Sequence, residues 1–274
     1  MENNAIAKYH MKNSTEYYTR RNIASWDEAA PKHESINSTL IDEVKCADFN
    51  NLNPDFNNLI EAYGVEKKSV IHVCCNNGID LLSLKNKGAD RCLGVDGSRA
   101  FIDQAILLGK SAGQLNIEYR CSDVYELPAD LHSSFDIVLI TVGVLGWMPD
   151  VARFMETCSS LLLPGGCLLM EEIHPILGMY EEGNPSFIDS SYFTTEPYRD
   201  TNGLDYFTYE KYDAKENFWF HHPLENILMS ALSNKLQLEH IKELNYNIGN
   251  FCADLEFAEN NPPLGINLAW RKNE

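Results

Sequence analysis

A chain of 274 residues with 44% hydrophobic and 23% charged side chains has an ordinary globular composition, and its length suits one elaborated α/β domain or two modest domains sharing a cleft. Its 40 acidic against 22 basic residues give a formal net charge of -18, which repels phosphate backbones and anionic lipid surfaces, so neither nucleic acid nor a membrane is an expected partner. No apolar run approaches the ~18 residues of a membrane span, and the opening MENNAIAKYHMKNS lacks the apolar stretch of a signal peptide, so the expected location is cytoplasmic.

Residues 1 to about 50 fall outside any strand–helix alternation and carry Tyr9, Tyr17, Tyr18 and Trp26, too many aromatics for a plain disordered tail; they predict a helical lid. From about Lys67 to Glu172, short apolar runs alternate with helical patterns, the signature of a parallel sheet covered by helices. Strands are expected at 69–73, 91–95, 117–121, 135–140 and 167–170, the third alternating like a more exposed strand. Helices are expected at 79–87, 99–112 and 151–162, the last stopped by Pro164-Gly165-Gly166. After an irregular stretch at 176–222, Leu224, Ile227, Leu228, Ala231 and Leu232 repeat at helical spacing, and 236–244 and 264–270 look extended. The sum is a mostly parallel seven-stranded sheet with helices on both faces, divided into a lid (1–50), a core (51–175), an inserted antiparallel cap (176–222) and a C-terminal helix with closing strands (223–274). Within the cap, the aromatic runs 192–198 and 204–212 flank Asn202-Gly203, a strong hairpin signal, and 217–220 is a third extended run that pairs beside them.

Of the eight cysteines, Cys74, Cys75, Cys92, Cys121 and Cys167 lie in or beside apolar runs and none forms a C-x-x-C pair, so they read as reduced core residues with no structural metal. In an open doubly wound sheet, ligands bind beyond the carboxyl ends of the strands. The first such turn is Cys74-Cys75-Asn76-Asn77-Gly78, leading into a helix N-terminus. The second strand ends at Asp96, beside Gly97 and Ser98, where an acid can accept both hydroxyls of a ribose. The third ends at Asp123-Val124, a carboxylate for an adenine amino group and a side chain to pack on its ring. Singly, either acid serves equally well as a helix N-cap or a loop charge.

The span 72–175 resembles class I S-adenosylmethionine-dependent methyltransferases, and in particular a bacterial small-molecule-type subgroup whose first strand runs into a His-x-x-Cys-x-x-Gly turn, here His72 to Gly78. The pattern continues in Asp80-Leu-Leu-Ser-Leu84, Gly94-Val-Asp96, Gly143-Val-Leu-Gly-Trp147-Met-Pro-Asp150, Pro164-Gly-Gly166 and Glu172-Ile-His174-Pro175; Arg21-Asn22-Ile-Ala-Ser-Trp26-Asp27 with His33 is similar to the subgroup's N-terminal segment. The resemblance implies a Rossmann-like fold with S-adenosyl-L-methionine as cofactor and S-adenosyl-L-homocysteine as product. Asp96 then holds the ribose, Asp123 and Val124 the adenine, and the turn around Cys75 and Gly78 the methionine end, with Thr141 and Val142 facing the sulfonium. Trp147 either walls the cofactor pocket or anchors packing. Only one glycine remains in a turn where the wider superfamily has three, which argues against a pyrophosphate that amides must approach closely; Asn76 or Asn77 tolerates a left-handed backbone in a glycine's place.

Methyl transfer from a sulfonium is an in-line displacement in which the protein chiefly aligns the reactants, so a catalytic residue is not obligatory. Should a general base be needed, His174 just past the fifth strand is the first candidate and His221, with His222, the second; His174 serves equally well to bond a lid carbonyl. The acceptor is expected to be a small molecule methylated on nitrogen or oxygen, bound by the aromatic cap. A homodimer, a degenerate partner subunit and a nicotinamide-dependent oxidoreductase remain as alternatives, the last disfavoured by the lost glycines.

Overall fold

The computed structural model describes residues 14–208 and 210–273. Tyr9 and Tyr209 lie outside them. In chain order the elements are α1 (Thr15–Ile36), α2 (Leu40–Glu43), α3 (Pro54–Tyr63), β1 (Val70–Val73), α4 (Ile79–Asn86), β2 (Cys92–Asp96), α5 (Arg99–Ser111), β3 (Ile117–Cys121), β4 (Phe135–Ile140), α6 (Val151–Leu161) and β5 (Leu162–Ile173). There follow β6 (Tyr180–Glu181), β7 (Phe187–Ile188), β8 (Tyr198–Asp200), β9 (Asn217–Trp219), α7 (Leu224–Ser233), β10 (Leu236–Leu244) and β11 (Gly265–Lys272). No helix among the described residues is long and apolar enough to cross a membrane.

Seven strands form one sheet in the order β10-β11-β5-β4-β1-β2-β3, with β11 antiparallel to both neighbours and β1 through β5 parallel. Strand order reverses about β1, which has β2 on one side and β4 on the other, and this opens the crevice at the carboxyl edge. Strands buried on both faces must be apolar throughout, which is why they read as unbroken runs. Ile71, Val73, Val138, Ile140, Leu168, Met170 and Leu268 pack on one face against α6 and α7. Val70, Ile137, Leu139, Leu169 and Ala269 pack on the other against α3 and α4. Continuing the period-2 alternation toward the carboxyl edge, the second face turns polar: the next inward positions are His72, Thr141, Glu171 and Asn267.

Two local expectations are corrected. Pro164-Gly165-Gly166 does not separate α6 from the fifth strand; β5 begins at Leu162, pairs it with Phe135, bulges through the glycines and resumes at Cys167 opposite Ile137. Gly165, at φ 76°, supplies the left-handed residue that such a bulge needs.

Asn202-Gly203 is not a hairpin tip either. β8 pairs with β9, Tyr198 opposite Trp219, and the intervening residues loop out. Asp200 Oδ1 accepts from Asn202 N–H at 3.1 Å, and Asp205 Oδ1 accepts from Phe207 and Thr208 N–H at 3.1 and 2.9 Å. Aspartate side chains thus take the amides that a 204–212 strand would need for its ladder.

Candidate functional site

The first turn is built from left-handed residues: Cys74 (φ 55°), Asn76 (φ 51°) and Gly78 (φ 76°). Asparagine meets this demand locally, because Asn76 Oδ1 accepts the Asn77 N–H at 2.7 Å. At Gly78 the requirement is also spatial, since a Cβ there would lie 2.7 Å from the Tyr119 ring. The Asn76 N–H donates to Asp96 Oδ2 at 2.8 Å, and the Ser98 N–H donates to Asp96 Oδ1 at 2.8 Å, so the acid ending β2 latches the turn after β1. Each oxygen keeps a lone pair for a further donor. Burial raises the Asp96 carboxyl, and the charge of Asp27 adds to the effect.

Asp27, on α1, accepts from Ser98 Oγ at 2.8 Å and from Ala100 N–H at 2.9 Å, so α1 is docked onto the N-terminus of α5. Gly97 lets it approach: a Cβ there would lie 2.5 Å from Ile23. Asp123 accepts the Tyr125 N–H at 2.9 Å as the cap of a short 3-10 turn whose first residue, Val124, is 5% exposed. Burial pushes the Cys74 thiol well up, and the charges of Asp96, Asp123 and Glu172 add to it. Residues following β1, β2 and β3 therefore lie at one edge of the sheet.

At the end of β4, Thr141 Oγ1 lies 3.0 Å from His72 Nε2, and burial lowers the His72 ring to about 4. Val142 is exposed. The next loop is held by Glu172, whose Oε1 accepts the Gly143 and Ile173 N–H groups at 2.7 and 2.8 Å and whose Oε2 accepts the Leu145 N–H at 2.8 Å. This loop carries Trp147, which packs edge-on to Trp26 of α1 and Trp219 of β9 with centroids 5.2 and 5.1 Å apart. Trp147 thus packs between α1 and β9.

Tyr17 lies further out, with the Arg21 guanidinium 3.6 Å above its ring and Phe218 beside it. Asn22 fastens α1 to the cap: its Nδ2 donates to Phe218 O at 2.9 Å and Trp147 O at 3.2 Å, and its Oδ1 accepts the Phe218 N–H at 2.7 Å. Lys32 pairs with Asp205 at 3.1 Å and Glu210 at 2.8 Å, and Arg21 pairs with Glu216 at 2.8 Å. Asn22→Ala is expected to lower stability by about 2–4 kcal/mol, because it strands the buried Phe218 backbone groups; a thermal melt checks this, and an unchanged melting temperature would contradict it.

His174 and His221 are both engaged in local contacts. His174 Nδ1 accepts the Ile176 N–H at 3.1 Å, and Nε2 is 3.2 Å from Glu243 Oε1, an ion-pair distance without hydrogen-bond alignment. Burial lowers its ring and that of His221. His221 packs edge-on to Tyr192 and closely over Gly178. Both line a cavity of about 40 Å³ behind the Glu172 loop. His222 Nε2 is bonded to Met148 O at 2.7 Å.

Sequence reasoning overlooked Asn22, Asp27 and Glu172, which fasten the elements at this edge, and the buried pair Glu171 and Asn267. The available signal was Glu171-Glu172 itself, two acids inside a buried strand, where charge is costly without partners. Burial raises both carboxyls to about 7. Between the unfolded value near 4.5 and about 7, the folded protein retains protons that the unfolded chain has released, so this contribution to stability is full below about 4.5 and is lost as pH rises through 7. Urea unfolding of the apo protein at pH 5 and pH 8 should therefore show a smaller loss in Glu171→Gln than in the wild type, by on the order of 3 kcal/mol. Equal losses would contradict the assignment.

Residues 70–166 match a family model described as a methyltransferase domain. Over 113 residues, 41% of this chain and 47% of the relative, the chain is 34% identical to a ubiquinone biosynthesis O-methyltransferase of Acinetobacter baylyi. The namesake from Coxiella burnetii is 36% identical over 107 residues, 39% of this chain and 44% of the relative. The chain thus spans about half the length of the curated relatives it matches. A crystal structure of an S-adenosylmethionine-dependent methyltransferase from Mesorhizobium loti superposes with a TM-score of 0.58 at 21% identity, covering 80% of this chain and 96% of the other. One from Clostridium acetobutylicum superposes at 0.59 and 14%, covering 89% and 99%. Geranyl diphosphate C-methyltransferase from Streptomyces coelicolor, in complex with S-adenosyl-L-homocysteine, superposes at 0.56 and 12%, covering 78% and 77%. Residues 70–166 are thus similar to a methyltransferase domain, and the chain has the fold of class I S-adenosylmethionine-dependent methyltransferases.

Proposed function

We propose that the chain transfers a methyl group from S-adenosyl-L-methionine to a small-molecule acceptor, with a hydroxyl oxygen as the preferred methyl-accepting atom. The observation that carries this reading is the latch between the 74–78 turn and Asp96 at the carboxyl edge of the sheet, where β3 and β4 also end, with each Asp96 oxygen able to accept a further donor. The donor set fits this cofactor: acids that accept ribose hydroxyls and an amino group, and a first turn without the glycines a pyrophosphate requires. The preference for oxygen is supported by the O-methyltransferase names of relatives matched over the core.

The bound cofactor would supply an activated methyl group on a good leaving group. Asp96 and Ser98, with Gly97, would hold its ribose, Asp123 and Val124 its adenine, and residues 74–78 its methionine end. Thr141 and Val142 would align the acceptor, and Tyr17, Trp26 and Trp147 would close the crevice through α1. In this reading residues 1–50 are a lid and 176–222 a cap that excludes water, and alignment supplies about 7–11 kcal/mol of the barrier reduction. His174 and His221 already hold local contacts, so the hydroxyl proton would pass to water before the crevice closes, and the acceptor would take the methyl group as its oxyanion. Eight unpaired cysteines suit a reducing, cytoplasmic setting.

The test is mass spectrometry with methyl-deuterated S-adenosylmethionine and a panel of catechols, phenols and amines. Label on a phenolic oxygen is the expected result; label confined to nitrogen or carbon would overturn the oxygen preference, and no turnover across the panel would count against the activity.

A further inference from the structure

Glu171 and Asn267, in the polar row on the α3/α4 face of the sheet, have no part in the reaction described above. His72, Glu171 and Asn267 lie on β1, β5 and β11, Thr141 directly follows β4, and the β5–β11 pairing sets Glu171 directly opposite Asn267. Such partners have Cβ atoms about 5 Å apart. Glu171 is 3% and Asn267 1% exposed, yet Glu171 Oε1 and both polar atoms of the Asn267 amide have no hydrogen-bond partner. Two adjacent buried side chains with three unpaired polar atoms are costly unless something is bound between them.

The surroundings select the chemistry. Glu171 Oε2 is taken by Asn53 Nδ2 at 2.7 Å, and the charges Glu171 feels most strongly are Asp80, Glu172 and Asp55, all acids. The nearby cation Lys242 is occupied by Asp55 at 2.8 Å. A carboxylate or phosphate would meet like charge here, and a hydroxyl would neutralise nothing. An ammonium group donates to both Glu171 Oε1 and Asn267 Oδ1 and compensates the buried acid, leaving Asn267 Nδ2 to a water.

We propose that Glu171 and Asn267 form a buried subsite that anchors a primary amine of the methyl acceptor, one strand away from Thr141 where transfer takes place. This rests on the methyltransferase reading. The amine is an anchor, not the atom methylated, and the pair determines specificity rather than chemistry.

The test is calorimetry of the full chain, with and without S-adenosylhomocysteine, against a panel of aliphatic and phenolic primary amines, each matched to the alcohol of the same carbon skeleton. At least one amine should bind tenfold or more tightly than its alcohol, and the difference should vanish in Glu171→Gln and shrink in Asn267→Ser while homocysteine-product affinity stays unchanged in both. If no amine outbinds its alcohol, or if the preference persists in Glu171→Gln, the pair holds only water and the proposal falls. Failure of S-adenosylhomocysteine to bind the wild type would count against the cofactor reading instead, because the amine comparison is also made without it.

Discussion

Asp96→Ala is expected to weaken S-adenosylmethionine binding at least a hundredfold. Two effects add. The variant loses charge-assisted hydrogen bonds to the ribose, worth about 1.5–3 kcal/mol each. It also removes the acceptor for the Asn76 and Ser98 N–H groups, so the turn after β1 is no longer latched to the end of β2. Asp96→Asn separates the two effects, since it keeps one carbonyl acceptor and the side-chain volume but loses the charge; an intermediate affinity is expected. Calorimetry with S-adenosylhomocysteine on variants that retain their circular dichroism measures both. Wild-type affinity in folded Asp96→Ala would place the ribose elsewhere.

Glu172→Ala should be the more damaging change to the fold. Three backbone N–H groups, those of Gly143, Leu145 and Ile173, end on this one carboxylate, which is 2% exposed. Leaving buried donors unpaired costs about 1–3 kcal/mol each, so a loss of about 3 kcal/mol or more is expected, partly offset by release of a buried acid. The loop it holds carries Trp147, the contact between α1 and β9, so kcat should fall together with stability. Glu172→Gln keeps an acceptor for only part of the set and should lie between. A melting temperature and turnover within error of wild type in Glu172→Ala would remove Glu172 from this role.

Much of the architecture could be read from periodicity. The α4, α5 and α6 helices and the parallel strands follow from apolar spacing alone, because a strand covered on both faces tolerates little polarity. The placement of the 74–78 turn, Asp96 and Asp123 at one edge follows in turn, since their positions are fixed by the strands they end. What the pattern could not show is polar bonding between distant segments: Asn22 reaches Phe218 across 196 positions and Asp27 reaches Ser98 across 71, and nothing local marks either side chain for that use. The Asn202-Gly203 hairpin failed for a related reason. Asp200 and Asp205 bond nearby amides and hold the chain in turns, so a strong local turn signal yields to side-chain chemistry a few residues away.

Binding of S-adenosylmethionine at the carboxyl edge of β1, β2 and β4 underlies the proposed function. It is tested most directly by thermal unfolding of the full chain with S-adenosylmethionine, S-adenosylhomocysteine or NAD. A ligand at 100 times its dissociation constant adds about 2.7 kcal/mol of stability, so both sulfur ligands should raise the melting temperature by several degrees in the wild type and not in Asp96→Ala, while NAD leaves both unchanged. Stabilisation by NAD, or none by either sulfur ligand, would contradict it.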